Sequence, residues 1–166
     1  MSATSLATNQ DLDPDALRQA FGVFPSGVVA VAAAIDGSPI GLAASSFTSV
    51  SLSPPLVSVS IAKTSKTWPD LRRASHLGIT VLAEHQGVVC RKLAGPVDDR
   101  FSDLAVSVTA EGALLLDEGL AHFGCTIYRE VEAGDHVLVL LELHTVGHIA
   151  GQPLVFHRSA FTRLTA

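Results

Sequence analysis

The strand-forming segments of this chain follow one another through short turns, and this spacing limits the folds that it can adopt. Segments 28–35 and 39–44 are joined by Asp36-Gly37, a dipeptide typical of a tight hairpin. Parallel strands need long crossover connections, and no long helix is predicted between successive strands. We therefore expect a mainly β fold, an antiparallel split β-barrel of the Greek-key type with a few short helices. The predicted strands cover about residues 28–35, 39–44, 57–62, 77–83, 122–131, 136–149 and 154–163.

Three short helices are predicted from the residues at their ends. Asp13-Pro14 is typical of a helix start, and this first helix ends near Gly22. Thr67 is expected to cap a second helix, with an acid three residues later as in a capping box. A third helix covers about residues 86–93. We expect residues 1–12 to form a flexible tail and residues 13–166 to form one domain.

Composition excludes several classes of partner. The 166 residues are 48% hydrophobic and 16% charged, which suits a real core and a subunit interface. The net charge of −5, without a run of Lys or Arg, argues against nucleic-acid binding. No apolar run reaches the roughly 18 residues of a membrane span, and no signal peptide is expected. Cys90 and Cys125 have no metal-ligand spacing, so we expect buried reduced thiols, no metal site and a cytoplasmic location.

Two segments have the composition of a ligand site. Residues 41–57 place six hydroxyl side chains between an apolar strand and a Pro-Pro pair, so backbone N–H groups and short hydroxyls can approach a ligand closely. Residues 63–67 (K-T-S-K-T) join a strand end to a helix start, where two lysines and three hydroxyls favour a phosphate. A solvated loop is the alternative interpretation of the second segment. There is no G-x-G-x-x-G or Walker A motif, so a nucleotide would not use a Rossmann turn.

His136 differs from the other histidines because it begins a strand directly after Gly134-Asp135. Two interpretations are open for this position. The residue either forms an ordinary hairpin corner or places its side chain at the barrel mouth, facing a bound ligand.

Five short motifs follow one another along the chain. They are F-P-S-G-V at residues 24–28, the hydroxyl-rich segment at 41–57, D-R-F at 99–101, G-D-H at 134–136 and P-L-V-F-H-R-S-A-F at 153–161. They resemble those of the flavin reductase-like, FMN-binding split-barrel family, which includes the short-chain flavin reductase components of two-component monooxygenases. Four departures from the family pattern bear on the flavin and nicotinamide contacts: Ala43 and Ser45 stand in place of the usual Thr and Asn, and Ser159 and Phe161 in place of the usual Gly and Tyr.

The resemblance implies a homodimer that binds FMN or FAD noncovalently near the dimer interface. It also implies hydride transfer from NADH or NADPH to the flavin, without a catalytic side chain, and delivery of reduced flavin to a monooxygenase. His136 and Phe161 would border the nicotinamide. The residues implied to contact the flavin are Ser26, Ala43, Ala44, Ser45, Ser46, Phe47, Ser51, Leu52, Ser60, Ala62, Lys63, Ser65, Thr67 and Arg100.

Two other functions remain open at this point. One is a pyridoxamine-phosphate-oxidase-like enzyme, for which Arg72, Arg73, Lys92 and Arg100 could supply phosphate anchors. The other is a flavin-binding or electron-transfer module without turnover. The sequence shows no arginine cluster suited to the 2′-phosphate of NADPH, which slightly favours NADH.

Overall fold

The computed structural model describes residues 12–165, in which short helices alternate with groups of strands. The helices are α1 (Pro14–Gly22), α2 (Trp68–Leu71) and α3 (Gly87–Leu93), with 3-10 turns at Glu84–Gln86 and Val97–Asp99. The strands are β1 (Ser26–Gly27), β2 (Val29–Ile35), β3 (Ser38–Ala44), β4 (Thr48–Leu52), β5 (Pro55–Ala62), β6 (Leu77–Val81), β7 (Val106–Val108), β8 (Leu114–Leu116), β9 (Ala121–Ala133), β10 (His136–His148), β11 (Val155–His157) and β12 (Ala160–Thr162).

A seven-stranded antiparallel sheet forms the centre of the molecule, in the order β3-β2-β6-β9-β10-β5-β4. Strands β1, β11 and β12 form a second antiparallel sheet, and β7 pairs with β8. The predicted fold class, mainly β and antiparallel with few short helices, is confirmed. The expected tail at residues 1–12 falls almost wholly outside the described residues.

Strand β2 is buried on both faces and separates two hydrophobic clusters. Val29, Val31 and Ala33 belong to the larger cluster, inside the curved sheet. Val28 and Ala30 belong to the smaller one, which β11 and α3 help to cover. Because successive side chains of a strand point to opposite faces, the small-residue sequence of β2 fits between two packed layers.

The two ends of the seven-stranded sheet are joined through one side chain. Ser46 lies just after β3, at one end of the sheet, and Ser60 lies on β5, near the other end. The Ser46 hydroxyl donates to the Ser60 carbonyl oxygen (3.2 Å) and accepts from the Ser60 N–H (2.9 Å). Phe47 stacks on Phe123 of β9 beside this link, with ring centroids 6.1 Å apart.

Several predicted elements need correction. The sequence did not reveal β1, β4, β7 and β8, which are short or rich in exposed hydroxyl residues. The single strand predicted at 154–163 is wrong, because the chain turns there to form β11 and β12. Arg158 and Ser159 make this turn with φ values of 49° and 62°. By contrast, α1 begins as predicted, with Asp13 Oδ1 accepting from the Asp15 and Ala16 N–H groups.

The predicted capping role of the Thr67 side chain is also wrong. Thr67 directly precedes α2, but its hydroxyl makes no hydrogen bond to the helix backbone. Instead the Ser65 hydroxyl accepts from the Trp68 N–H at 3.2 Å. The Thr67 hydroxyl accepts from the guanidinium group of Arg100 at 2.8 Å, which explains why it is turned away from the helix.

Within residues 12–165, no helix has both the length and the apolar character needed to cross a bilayer.

Both cysteines are free thiols, of which Cys125 is buried and Cys90 is half-buried. Burial raises the pKa of the Cys125 thiol to about 12, so this group stays protonated.

Gly78 of β6 allows the closest backbone approach in the core. A Cβ atom at this position would lie 2.0 Å from the Leu114 carbonyl oxygen, so either β6 or β8 would have to move. We expect Gly78→Ala to lower the free energy of unfolding by about 1–3 kcal/mol, measured by urea denaturation. Gly147→Ala is the control, because a Cβ there meets nothing within 4 Å and should change stability by less than about 0.5 kcal/mol. Equal stability of the two variants would contradict this packing.

Candidate functional site

A cavity of about 590 Å³, here called the main cavity, opens beside β3 and β5. Its walls come from the end of β3, the end of β5, the loop before α2 and the end of α3. Its lining residues are Leu42, Ala43, Ala44, Ser45, Ser46, Ser60, Ile61, Ala62, Thr64, Ser65, Lys66, Thr67, Leu93, Ala94, Val97, Arg100 and His136.

Small side chains form the wall contributed by β3 and the residues after it. Ala43, Ala44 and Ser45 leave the backbone accessible, so a flat ligand can approach it closely. Ser46 continues this wall, but its hydroxyl is already bonded to the backbone of Ser60. This pair of hydrogen bonds fixes the β3 wall against the β5 wall, and the width between them is therefore set by the fold.

Arg100 supplies a fixed positive charge at one end of the main cavity. Its Nε donates to the Gly95 carbonyl oxygen (3.0 Å), and its Nη1 donates to the Gly41 carbonyl oxygen (2.9 Å) and to the Thr67 hydroxyl (2.8 Å). Among the described residues, Nη2 has no partner and no carboxylate pairs with this guanidinium group. A partly buried cation without a counter-charge favours an anionic ligand.

The loop before α2 adds hydroxyls and a second cation. Thr64, Ser65 and Lys66 line the cavity beside Arg100, and Lys66 has no acidic partner in the described chain. Lys63, by contrast, does not line the cavity, and its ammonium group pairs with Glu132. Of the two lysines in the predicted phosphate segment, Lys66 is therefore the one that lies on the cavity wall.

His136 lies at the edge of the main cavity, where β10 begins. It sits opposite Ala62 of β5 in the sheet register. Its Nδ1 donates to the Asp135 carboxylate at 2.7 Å, and the Lys63 N–H donates to the Asp135 carbonyl oxygen at 2.9 Å. These bonds hold the turn against β5 and leave Nε2 as the free ring nitrogen. Gly134, with φ of 64°, makes the tight turn possible.

A smaller apolar cavity of about 260 Å³, here called the side cavity, adjoins the main cavity and shares Ala43, Ala44, Ser45 and Ala94 with it. Phe161 lies here, in edge contact with Phe156 (centroids 5.8 Å apart) and under the guanidinium group of Arg91 (5.4 Å). Cys90 also lines this cavity, and burial raises the pKa of its thiol.

The structure brings most of the predicted site residues together. The main cavity contains Ala43, Ala44, Ser45, Ser46, Ser60, Ala62, Ser65, Thr67, Arg100 and His136. Phe161 lines the side cavity, Ser26 lines a third hollow next to it, and Phe47 packs in the core. Lys63, Ser51 and Leu52 line neither cavity, and Leu52 is 97% exposed on β4.

Seven lining residues are absent from the predicted contact residues. Leu42, Thr64 and Lys66 lie within the two predicted ligand segments and Ile61 lies between Ser60 and Ala62, whereas the other three had no such indication. Leu93, Ala94 and Val97 come from the end of α3 and the turn after it, and they line the main cavity together with the end of β3. Their only sequence signal was their position just before the D-R-F motif, which does not reveal a long-range contact.

The arrangement suits an anionic ligand with a flat apolar part. None of the described residues that line the main cavity is acidic, although the chain has a net charge of −5. Lys66 and Arg100 contribute the cavity's positive charges, and the small residues Ala43, Ala44 and Ser45 line both cavities. The lining contains no paired acid and base, so its chemistry is that of binding and positioning a reactive ligand.

Comparisons with known proteins agree with this geometry. Residues 21–165 match the family model described as the flavin reductase like domain. The chain is 41% identical over 129 residues to the stachydrine N-demethylase reductase subunit Stc3 of Rhizobium meliloti, covering 77% of this chain and 56% of that protein. It is 43% identical over 148 residues to the reductase component of the flavin-dependent trigonelline monooxygenase of Acinetobacter baylyi, covering 87% and 47%.

A solved structure is similar over almost the whole length of the chain. The NADH:FAD oxidoreductase SgcE6 of Streptomyces globisporus superposes with a TM-score of 0.89 at 32% identity, covering 99% of this chain and 100% of that chain. Against the first curated relatives the coverage is lower, since this chain spans about half of their length.

The hydrogen bond between His136 and Asp135 makes a prediction about pH. This bond, together with the positive charge of His136, lowers the pKa of the Asp135 carboxyl. We expect a carboxyl-carbon NMR titration to give a midpoint below the ordinary aspartate value of about 3.9. The stabilisation from this bond should be complete above the ordinary value and be lost as the pH falls through the lowered one. In His136→Ala the midpoint should rise towards the ordinary value, because His136 is the main cause of the lowered pKa; an unchanged midpoint would show that another group lowers it.

Proposed function

Because this chain belongs to the flavin reductase-like family, we propose that it is an NAD(P)H-dependent flavin reductase that supplies reduced FMN or FAD to a partner monooxygenase. The observation that carries the proposal is the main cavity itself. It combines a wall of small residues with an unpaired guanidinium group, and this is the arrangement needed for a flat ring that carries a phosphate.

The residues present fit a flavin mononucleotide moiety. Arg100 Nη2, the Ser65 and Thr64 hydroxyls and Lys66 would hold the phosphate. Ala43, Ala44 and Ser45 would lie along one side of the ring system, and residues 60–62 of β5 along another. Thr67 would act through Arg100, because its hydroxyl is already bonded to the guanidinium group.

Bound flavin would supply the redox chemistry by accepting a hydride from the reduced nicotinamide. The protein's part in such a reaction is to exclude water and align two rings, so a proton-transfer pair is not required. His136 would position the nicotinamide from the β10 side, held in place by Asp135. Phe161, packed on Gly87 and Phe156, would form the apolar floor of the side cavity.

A steady-state assay of NADH oxidation with added FMN or FAD tests this function. Turnover that depends on flavin, with a tight complex for at least one flavin, is the expected result. Saturable flavin binding without NADH oxidation would favour a carrier or electron-transfer module. Oxidation of pyridoxamine phosphate in place of NADH would favour the other enzyme class.

The proposal includes a homodimer in a reducing cytoplasm, with residues 13–166 as one domain. Strand β4 supports the dimer, because it lies at the edge of the seven-stranded sheet and exposes Val50 and Leu52. An exposed apolar edge strand presents unpaired backbone groups and apolar side chains to which a second chain can bind. The free thiols of Cys90 and Cys125 support a reducing compartment. Sedimentation equilibrium would test the dimer.

The phosphate assignment predicts a difference between two lysines of the same loop. We expect Lys66→Ala to weaken FMN binding by about tenfold, the loss of one charge-assisted contact, and to leave riboflavin binding unchanged. Lys63→Ala is the matched comparison and should have the smaller effect, because its ammonium group pairs with Glu132. Fluorescence titration measures both affinities. Equal losses for FMN and riboflavin in Lys66→Ala would argue against a phosphate contact.

The positioning role of His136 predicts a specific kinetic pattern. His136→Ala should raise KM for NADH and leave flavin affinity near that of the wild type. We expect kcat to fall by about tenfold, well short of the roughly 10²- to 10⁴-fold loss of an acid–base catalyst. A near-complete loss of kcat at unchanged KM would show a direct chemical role. An unaltered enzyme would leave His136 as an ordinary hairpin residue.

A further inference from the structure

A concave surface lined by two arginines lies next to the proposed flavin site. Arg18 of α1 and Arg158 of the β11–β12 turn are far apart in the sequence, yet both line a hollow of about 360 Å³. We call this surface the arginine hollow. The cluster is invisible in the sequence because only folding brings α1 and the turn together. The rest of its lining is Phe21, Gly22, Phe24, Ser26, Ser45, Phe156 and Ser159.

The charge of the arginine hollow is not balanced by its lining. Arg158 has no acidic partner among the described residues, and no residue named in the lining is acidic. Arg18 pairs with Asp15 at 2.8 Å, but both side chains are largely exposed, at 75% and 85%. Such an exposed ion pair contributes little stability, so a phosphate can readily replace Asp15 as the partner of Arg18. Guanidinium groups bind phosphate through paired hydrogen bonds, so a phosphate is the anion that fits.

The turn that carries Arg158 has an unfavourable conformation for its residues. Arg158 and Ser159 both have positive φ, and two-residue hairpin turns of this kind favour Asn-Gly. The Arg158 N–H donates to the Gly22 carbonyl oxygen at 3.0 Å, which fixes the turn against the end of α1. A long charged side chain held at a strained position is the pattern found at functional sites.

The arginine hollow is also aromatic and continuous with the flavin site. Phe21 and Phe24 are 70% and 80% exposed, so their rings offer flat apolar faces on which a nucleobase can stack. Ser45 lines the main cavity, the side cavity and the arginine hollow. The arginine hollow therefore adjoins both cavities at Ser45, and a ligand long enough to pass this residue could contact both sites.

We propose that the arginine hollow binds the adenosine diphosphate half of a dinucleotide, the moiety that NADH and FAD share. The identity of the dinucleotide rests on the proposed function, whereas the charge and shape of the arginine hollow do not. Arg18 and Arg158 bind the diphosphate, and Phe21 and Phe24 provide the surface for adenine.

Calorimetric titration with ADP tests the site without any need for turnover. Arg158→Asn removes the charge and suits the turn, since Asn tolerates positive φ, so the variant should fold. Arg18→Gln removes the other charge. We expect each variant to bind ADP about tenfold more weakly than the wild type. Arg129→Gln is the control, because Arg129 is exposed, lacks an acidic partner in the described chain and lines none of these cavities.

Kinetics with truncated ligands then identify the source of the ADP moiety. If it belongs to NADH, Arg158→Asn raises KM for NADH and not for reduced nicotinamide mononucleotide. If it belongs to FAD, the variant loses affinity for FAD and not for FMN. The site is overturned if ADP does not bind the wild-type protein, or if Arg129→Gln loses as much affinity as Arg158→Asn.

Two other outcomes separate this inference from the proposed function. ADP binding that depends on Arg158, in a protein that oxidises no NADH, would refute the reductase activity and leave the site standing. If ADP binding depends on Arg158 but Arg158→Asn changes neither KM for NADH nor the affinity for FAD, the assignment of the ADP moiety to a dinucleotide is refuted.

Discussion

One serine hydroxyl determines the geometry on which the candidate site depends. The Ser46 side chain bonds both the N–H and the carbonyl group of Ser60, and it thereby replaces a pair of backbone bonds that β3 and β5 cannot make directly. The sheet must curve to bring these residues together, and the curvature creates the main cavity between the two strands. Small residues at positions 43–45 then become a wall with a fixed partner opposite.

Arg100 has the corresponding role on the other side of the cavity. Its guanidinium group ties β3, the loop before α2 and the end of α3 to one another through Gly41, Thr67 and Gly95. Three of its donor positions are used within the protein, and the charge remains uncompensated. A side chain of this kind both organises the site and selects for an anion, so a lysine could not replace it fully. The same hydrogen bond explains why the Thr67 side chain does not cap α2, since its hydroxyl accepts from Arg100 instead.

The sequence predicted the features that depend on neighbouring residues. Asp36-Gly37, Asp13-Pro14 and Gly134-Asp135 have strong local preferences, and the turns and helix start lie where they were expected. Strand β4 was missed because its exposed hydroxyl residues hide the alternation of a half-buried strand. The β11–β12 turn was missed because Arg158-Ser159 is an atypical turn pair. The placement of Leu93, Ala94 and Val97 in the main cavity, and of Arg18 and Arg158 in one hollow, depends on long-range contacts that no local pattern encodes.

The single tryptophan gives this protein a built-in optical reporter. Trp68 is 6% exposed, directly follows the cavity-lining residue Thr67, and donates through Nε1 to Glu130 at 2.9 Å. Glu130 also pairs with Arg72, so the indole ring is held in one orientation. Because the chain has no other tryptophan, its tryptophan emission comes from one known position next to the site. A change in that emission when a ligand is added would therefore report a local event, without the averaging over several fluorophores that complicates most proteins.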